Sequence, residues 1–270
     1  MNRAVPLTLL LCMALWATTH TAIAAELNYR LYVLGIPGGE AAFSLDLDAS
    51  TYRMTMHFRT TGIADLLVPD RMEEHTAGRF ENDMPAPVEY GSNGRRHGQE
   101  RVVTMVWRDG TPVTTAITPP NSTEREDVPP AMLPRSVDPL DAIVTLIRQV
   151  ARTGRCEGSS RAYDGRHLEL MQATTSGWEE IPPSGRSSFA GRALRCDFLD
   201  KTLAGFRLGS DREDDMRDRR GTMWLAQVIP GMPAVPVRAA IETRWFGEAT
   251  IYPVSYTHLS TAELRAHPPG

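Results

Sequence analysis

The chain has 270 residues, 29 Lys and Arg against 33 Asp and Glu, and a formal net charge of −4. That mild acidity excludes the basic electrostatic footprint that nucleic-acid binding demands. With 41% hydrophobic residues, the composition is that of a globular domain long enough to bury a sizeable core.

The first two dozen residues read as an export leader. Arg3 supplies a positive start, Leu7 to Ala17 form an apolar run containing Leu9, Leu10, Leu11 and Trp16, and Ala22-Ile23-Ala24 offers the small-x-small cleavage pattern. The run is too short to span a bilayer, which needs roughly 20 residues. Cys12 lies inside it without a lipobox, and a twin-Arg pattern is absent. The expectation is a signal peptide over 1–24 with cleavage near Ala24, and a single β-rich domain over 25–270. Loss of Arg3 takes the charge from −4 to −5. No later segment is apolar enough to form a transmembrane helix. The mature chain keeps Cys156 and Cys196, and a pair in an oxidising compartment predicts one disulfide closing a loop of about 40 residues.

The first strands follow at once. Tyr29, Leu31 and Val33 alternate with Arg30, Tyr32 and Leu34; Phe43, Leu45 and Leu47 alternate with Ser44, Asp46 and Asp48. Tyr52, Met54, Met56 and Phe58 alternate with Arg53, Thr55, His57 and Arg59. This period of two puts one set on a buried face, and the short spacings predict an antiparallel meander. Between the first two runs, "GIPGGEA" lacks the Lys-Ser/Thr of a phosphate loop, the G-x-G-x-x-G spacing and a following helix. It is expected to be a bend, with Pro37, Gly38 and Gly39 supplying the turn chemistry.

Residues 62–70, "GIADLLVPD", read as a helical turn or loop with an apolar tip, and strands are expected over 71–80 and 87–92. Gly94-Arg95-Arg96-His97-Gly98 is a basic turn suited to an anionic headgroup or glycan, or simply an exposed turn. A hairpin follows, Arg101 to Trp107 and Thr111 to Ile117 around Asp109-Gly110. The Pro-rich stretch 118–134 is a surface loop. One helix is sharply marked over about 139–152. Asp138 serves as N-cap, Pro139 as first residue, Leu140, Ile143, Val144, Ile147 and Val150 as the apolar stripe, and Gly154 as the stop. It is expected to plug an open end or cover an edge of the sheet. Further strands surround "AYDGRHLELM" and "AGRALRCDFLD". "DREDDMRDRR" (211–220) is expected to be an exposed, salt-bridged hairpin loop, its arginines neutralising any cation site built from its aspartates. Two strands over 221–229 and 235–245 and one over 249–256 close the domain, with a frayed tail from Thr257.

Signals for chemistry are sparse. The histidines show no metal-ligand spacing, "GRSSFAG" (185–191) lacks the nucleophile-elbow pattern, and neither catalytic residues, a metal nor a cofactor is expected.

The runs "YRLYVLGIPGGEAAFSLDL", "YRMTMHFRTTGIADLL", "DPLDAIVTL", "YDGRHLELM" and "MWLAQVIPGMPAVPVRAAIETRWFGEATIYPVSY" together resemble the bacterial family known as domain of unknown function 3108. The likeness covers residues 26–256. It implies an exported, mainly antiparallel β protein with a curved, open or barrel-like sheet, and no established reaction. The functional expectation is a periplasmic or secreted, non-enzymatic binding or envelope-maintenance protein. Its candidate groove for a lipid or acyl chain is lined by Phe43, Leu45, Met54, Met56 and Phe58, residues that would equally serve an ordinary filled core. The rivals are an envelope hydrolase with a dispersed site drawing on Glu73, His75, His97 and His167, and a scaffold subunit that pairs with an envelope protein through an edge strand.

Overall fold

The computed structural model describes residues 23–243 and 247–259. Its first half holds strands β1 (Ile23–Val33), β2 (Ile36–Leu47), β3 (Thr51–Thr60), β4 (Asp70–Glu81), β5 (Met84–Arg96), β6 (Gln99–Arg108) and β7 (Thr111–Thr118). The second half holds β8 (Gly158–Tyr163), β9 (Leu168–Ile181), β10 (Gly191–Ala204), β11 (Arg219–Ala226), β12 (Val235–Glu242) and β13 (Glu248–Leu259). Among the described residues three α-helices join them, α1 (Ile63–Leu67), α2 (Pro139–Thr153) and α3 (Arg212–Met216), with 3-10 turns at Asn121–Thr123 and Pro130–Met132.

All thirteen strands form one antiparallel sheet in the order β7-β6-β5-β4-β3-β2-β1-β13-β12-β11-β10-β9-β8. Apart from β7 and β8, consecutive strands pair with one another, and β1 pairs with β13. The first and last strands are therefore joined, and the break in the ring falls mid-chain, between β7 and β8. There the Pro-rich segment crosses the gap. Val137 accepts from Tyr163 and donates to Arg161 along the edge of β8, at 2.8 and 2.9 Å. Toward the other edge, the Trp107 indole donates to Ser136 O (2.8 Å) and Arg135 N to Gly110 O (2.8 Å). The Arg166 guanidinium reaches back to Pro119 O at 3.1 Å. The curled sheet is thus stitched, rather than closed, at this seam.

Helix α2 lies on the concave face. The Asp138 carboxylate accepts from Asp141 N at 2.9 Å, Pro139 starts the first turn, and Gly154 ends the helix at φ 68°. Its Leu140, Val144 and Ile147 pack with Leu27, Tyr29, Leu45, Tyr52 and Met54 of β1–β3 and with Met232 and Val235. A disulfide from Cys156, just beyond the helix, to Cys196 on β10 ties the connection to the sheet.

Several local expectations shift. The turn of the first hairpin is Leu34-Gly35, with φ of 51° and 78°, not Pro37-Gly38-Gly39, which run inside β2. Gly39 is there for space: a Cβ would stand 3.0 Å from the Phe58 ring and 3.2 Å from Arg59 O. The register shift after Leu31 leaves Gly38 of β2 as the extra residue. Tyr32, expected on the exposed phase of β1, is buried against Tyr252 and under the Arg186 guanidinium, while Leu31 and Val33 are half-buried. Residues 211–220 are not a plain hairpin loop. Asp211 caps α3, and Asp215 is buried, accepting from Arg207 N at 3.0 Å and from the Ser210 hydroxyl. The last strand continues past Tyr256, with Thr257 to Leu259 paired to Glu26, Ala25 and Ala24. The leader lies outside the described residues except for Ile23 and Ala24, which already run in β1; Trp245 also lies outside them.

Candidate functional site

The five residues expected to line a groove are brought together by register. Leu45 pairs with Met54, Phe43 with Met56, and Ala41 with Phe58 across β2 and β3. Leu45 and Met54 are buried in the cluster that α2 completes, while Phe43 and Met56 pack partly exposed against it. The helix occupies the space in front of Leu45 and Met54, so the open apolar surface is displaced to its flanks.

On one flank, a cleft of about 800 Å³ lies between α2 and the β11–β12 connection. Leu45, Leu47, Phe80, Val144, Ile147 and Met232 line it. The Arg148 guanidinium stands 4.5 Å above the Phe80 ring and 3.1 Å from Asp83 at its mouth. A second cavity of about 490 Å³ shares Ala151, Gln227 and Ala234 with the first and runs on toward Phe189 and Trp178. On the opposite flank, a smaller void of about 150 Å³ is lined by Ile143, Leu146, Met171 and Met223 beside Cys156. The trough has aliphatic walls and a polar rim of Asp48, Asp83, Arg148 and Gln227, so an apolar chain would lie along the walls with its polar end at that rim.

The polar interior is organised differently. At the start of α2, Asp138 and Asp141 are both buried. The Thr76 hydroxyl donates to Asp138 at 2.8 Å, with Asp141 at 3.3 Å. Burial raises both carboxyls, and the neighbouring Asp138 charge raises Asp141 further, so Asp141 holds its proton against Asp138. Glu74, on the inward phase of β4, is pushed up to about 7. Burial dominates; a hydrogen bond from Tyr90 opposes it, and the charges of Asp164 and Asp138 add to it.

His167 is held from both sides. Its Nδ1 lies 2.9 Å from Asp164 Oδ2 and its Nε2 2.9 Å from Glu169 Oε1. Burial works against the charge, but the two carboxylates outweigh it and push the ring up to about 10. Glu169 also accepts from Arg219, which pairs in turn with Asp200. With a carboxylate beside each ring nitrogen, His167 ties Asp164 at the end of β8 to Glu169 of β9 and, through Glu169, to Arg219 of β11.

The other residues named for a dispersed hydrolytic site do not converge on it. Glu73 and His75 face outward; Glu73 lies 3.7 Å from His57, and the His75 ring covers Gly91. His97 sits at φ 51° in the β5–β6 turn. Glu74 was missed from sequence, although it shares the phase of Met72 and Thr76. A carboxylate on the apolar phase of a strand is the signal that would have found it. Glu74 lines none of the cavities described above. Among the described residues, no group of three or more His, Cys, Asp or Glu is arranged to hold a metal ion, and no helix is long and apolar enough to cross a membrane.

Comparison with known proteins bears on family and fold. The model of the family described as "Protein of unknown function (DUF3108)" matches residues 28–252. The solved beta-barrel-like protein of domain of unknown function DUF1849 from Brucella abortus superimposes with a TM-score of 0.52 at 12% identity. That alignment covers 89% of this chain and 100% of the other, and it speaks to the fold alone. Among curated proteins none matches.

Proposed function

This chain belongs to the DUF3108 family of proteins of unknown function, and on that footing we propose that it is an exported, non-enzymatic binding protein that holds one acyl chain beside α2. The observation that carries the reading is the cleft of about 800 Å³, walled by Leu45, Val144, Ile147 and Met232 and continued by the cavity toward Phe189. Arg148 stands where a carboxylate or phosphate end would emerge. Displacement of Asp83 by such a group exchanges one ion pair for another, so the headgroup is met without leaving a charge unpaired. The Cys156–Cys196 bridge and the leader-like first residues support a compartment outside the cytosol. The engagement of both His167 nitrogens supports a binding role over a hydrolytic one.

The test is mass spectrometry of organic extracts from protein purified from its native compartment without detergent, followed by titration of the delipidated protein with a fluorescent fatty acid. A stoichiometric fatty acid or phospholipid is expected. Ala151→Trp, on the exposed side of α2 and shared by both cavities, should weaken the fluorescent ligand at least tenfold with the unfolding midpoint unchanged. A clean extract together with no saturable binding would end the acyl reading.

A further inference from the structure

The strands place an unusual surface at the end of the barrel opposite the mouth of the α2 cleft. The cleft opens beside the β2–β3 and β4–β5 turns, at Asp48 and Asp83. At the other end lie the β1–β2 turn, the β3–β4 connection and the β5–β6 turn. Two of these tips present apolar side chains to water. Leu34 is 73% exposed, Ile63 63%, Leu66 84% and Leu67 73%, and α1 buries none of its residues.

These tips are built, not frayed. The α1 segment is held to β2 by Thr61 N donating to Gly38 O at 3.1 Å. At its base, the Thr60 hydroxyl donates to Asp65 at 2.9 Å and accepts from Asp70 N at 3.0 Å. Aliphatic side chains fixed outward on a rigid protrusion have no folding role to explain them.

Beneath the tips, on the outward face, register aligns a row of charge. Arg30 opposes Glu40, Glu40 opposes Arg59, Arg59 opposes Arg71, Arg71 opposes Arg95, and Arg95 opposes Glu100. Four arginines thus stand against two glutamates, with three arginines consecutive. Like charges directly opposite on neighbouring strands repel. Glu40 takes up Arg59 at 2.7 Å and Arg30 at 3.5 Å. Nearby acids are also engaged, Asp70 with Arg96 at 2.8 Å and Glu73 with His57 at 3.7 Å. Among the described residues neither Arg71 nor Arg95 makes an ion pair. Arg71 lines a trough of about 730 Å³ with Arg30, Arg59, Glu40 and Glu73; Glu40 is engaged by Arg59 and Glu73 by His57, which leaves the Arg71 guanidinium to meet an anionic oxygen.

We propose that this end of the barrel docks on a bilayer containing anionic phospholipid, the Leu34 and Leu66-Leu67 tips entering the interface and the Arg59–Arg71–Arg95 row meeting lipid phosphates. Apolar tips above a collar of guanidinium groups match the order of a membrane surface, acyl boundary first and phosphates next. The net charge of −4 disfavours general adsorption to an anionic surface, so docking depends on this local row. The inference is independent of the acyl cleft, which faces away from the docked surface.

The experiment is cosedimentation of the full mature, disulfide-bonded protein with vesicles of phosphatidylcholine alone or with a quarter phosphatidylglycerol. Binding about tenfold tighter to the anionic vesicles, reduced by salt, is expected. Leu66→Asp with Leu67→Asp should abolish binding to both, while Arg71→Gln with Arg95→Gln should remove only the preference for anionic vesicles. All four positions are exposed, so unchanged unfolding midpoints verify the fold. Ala151→Trp should bind vesicles as the parent does, which separates this outcome from failure of the acyl reading. Absence of vesicle binding, or binding indifferent to the leucine pair, would overturn the proposal. So would displacement from vesicles by soluble glycerol phosphate alone, which would assign the row to a free anion. Self-association without vesicles that the leucine variants abolish would assign the tips to a second copy and equally overturn it.

Discussion

Glu74 sits where β4 calls for an apolar side chain, between Met72 and Thr76 on the inward phase. Its carboxyl is raised from 4.5 to about 7, chiefly by burial. In the unfolded chain it loses its proton near 4.5, so between there and about 7 the native state binds more protons. Stability contributed by the neutral carboxyl is therefore present below about 4.5 and lost as pH rises toward 7. Glu74→Gln removes this dependence. The variant should match the parent near pH 4 and exceed it by about 3 kcal/mol at pH 8, read from denaturant unfolding at several pH values. A difference between the two proteins that stays flat across that range would show that Glu74 is solvated. At this scale the sequence was least informative. The histidines that stand out in composition are exposed or engaged, whereas the unusual carboxyls, Glu74, Asp141 and Asp215, are recognisable only once their surroundings are known.

Among the elements, α2 was the most legible because its signals are local. Asp138 caps, Pro139 starts, the apolar stripe faces one side, and Gly154 stops the helix at the positive φ that glycine tolerates. A Cβ on Gly154 would meet nothing within 4 Å, so substitution there tests backbone conformation alone. Gly154→Ala should cost about 1 kcal/mol and Gly154→Asn less, measured by thermal or denaturant unfolding. An alanine variant as stable as the parent would mean that the left-handed stop is not needed. The strands were readable through their period of two, and Tyr32 marks the limit of that method, since it lies on the phase expected to face water and is buried there by Tyr252 and the Arg186 guanidinium, neighbours distant in sequence. The first hairpin teaches a related lesson. "GIPGGEA" contains the residues that commonly make turns, yet Leu34-Gly35 makes this one. Gly39 answers to the Phe58 ring across β3, a neighbour defined by register and distant in sequence.

For the whole molecule, the covalent tie matters because the sheet is open between β7 and β8. The connection across that gap, through the Pro-rich segment and α2, ends at Cys156, which the disulfide fastens to β10 forty residues later. In the chain-entropy description a loop of that length stabilises by about 4 kcal/mol, with 2–4 typical. Replacing both cysteines by alanine should lower unfolding free energy by about 2–4 kcal/mol and leave vesicle docking intact, since the bridge lies away from the Leu34 and Leu66 tips. A loss below about 0.5 kcal/mol would mean that packing of α2 already holds the seam. Alternation, caps, turn-forming dipeptides and the cysteine pair are properties of short stretches, and the sequence by itself determined through them the strands, the helix and the bridge. Curling of the sheet decided the rest, because it brings together groups that no local pattern relates. Thr76 meets Asp138 across 62 residues, α2 fills the face that Leu45 and Met54 would otherwise leave open, and three arginines from three strands fall into one row. Burial and register are collective outcomes of that closure, and the candidate sites are made of them.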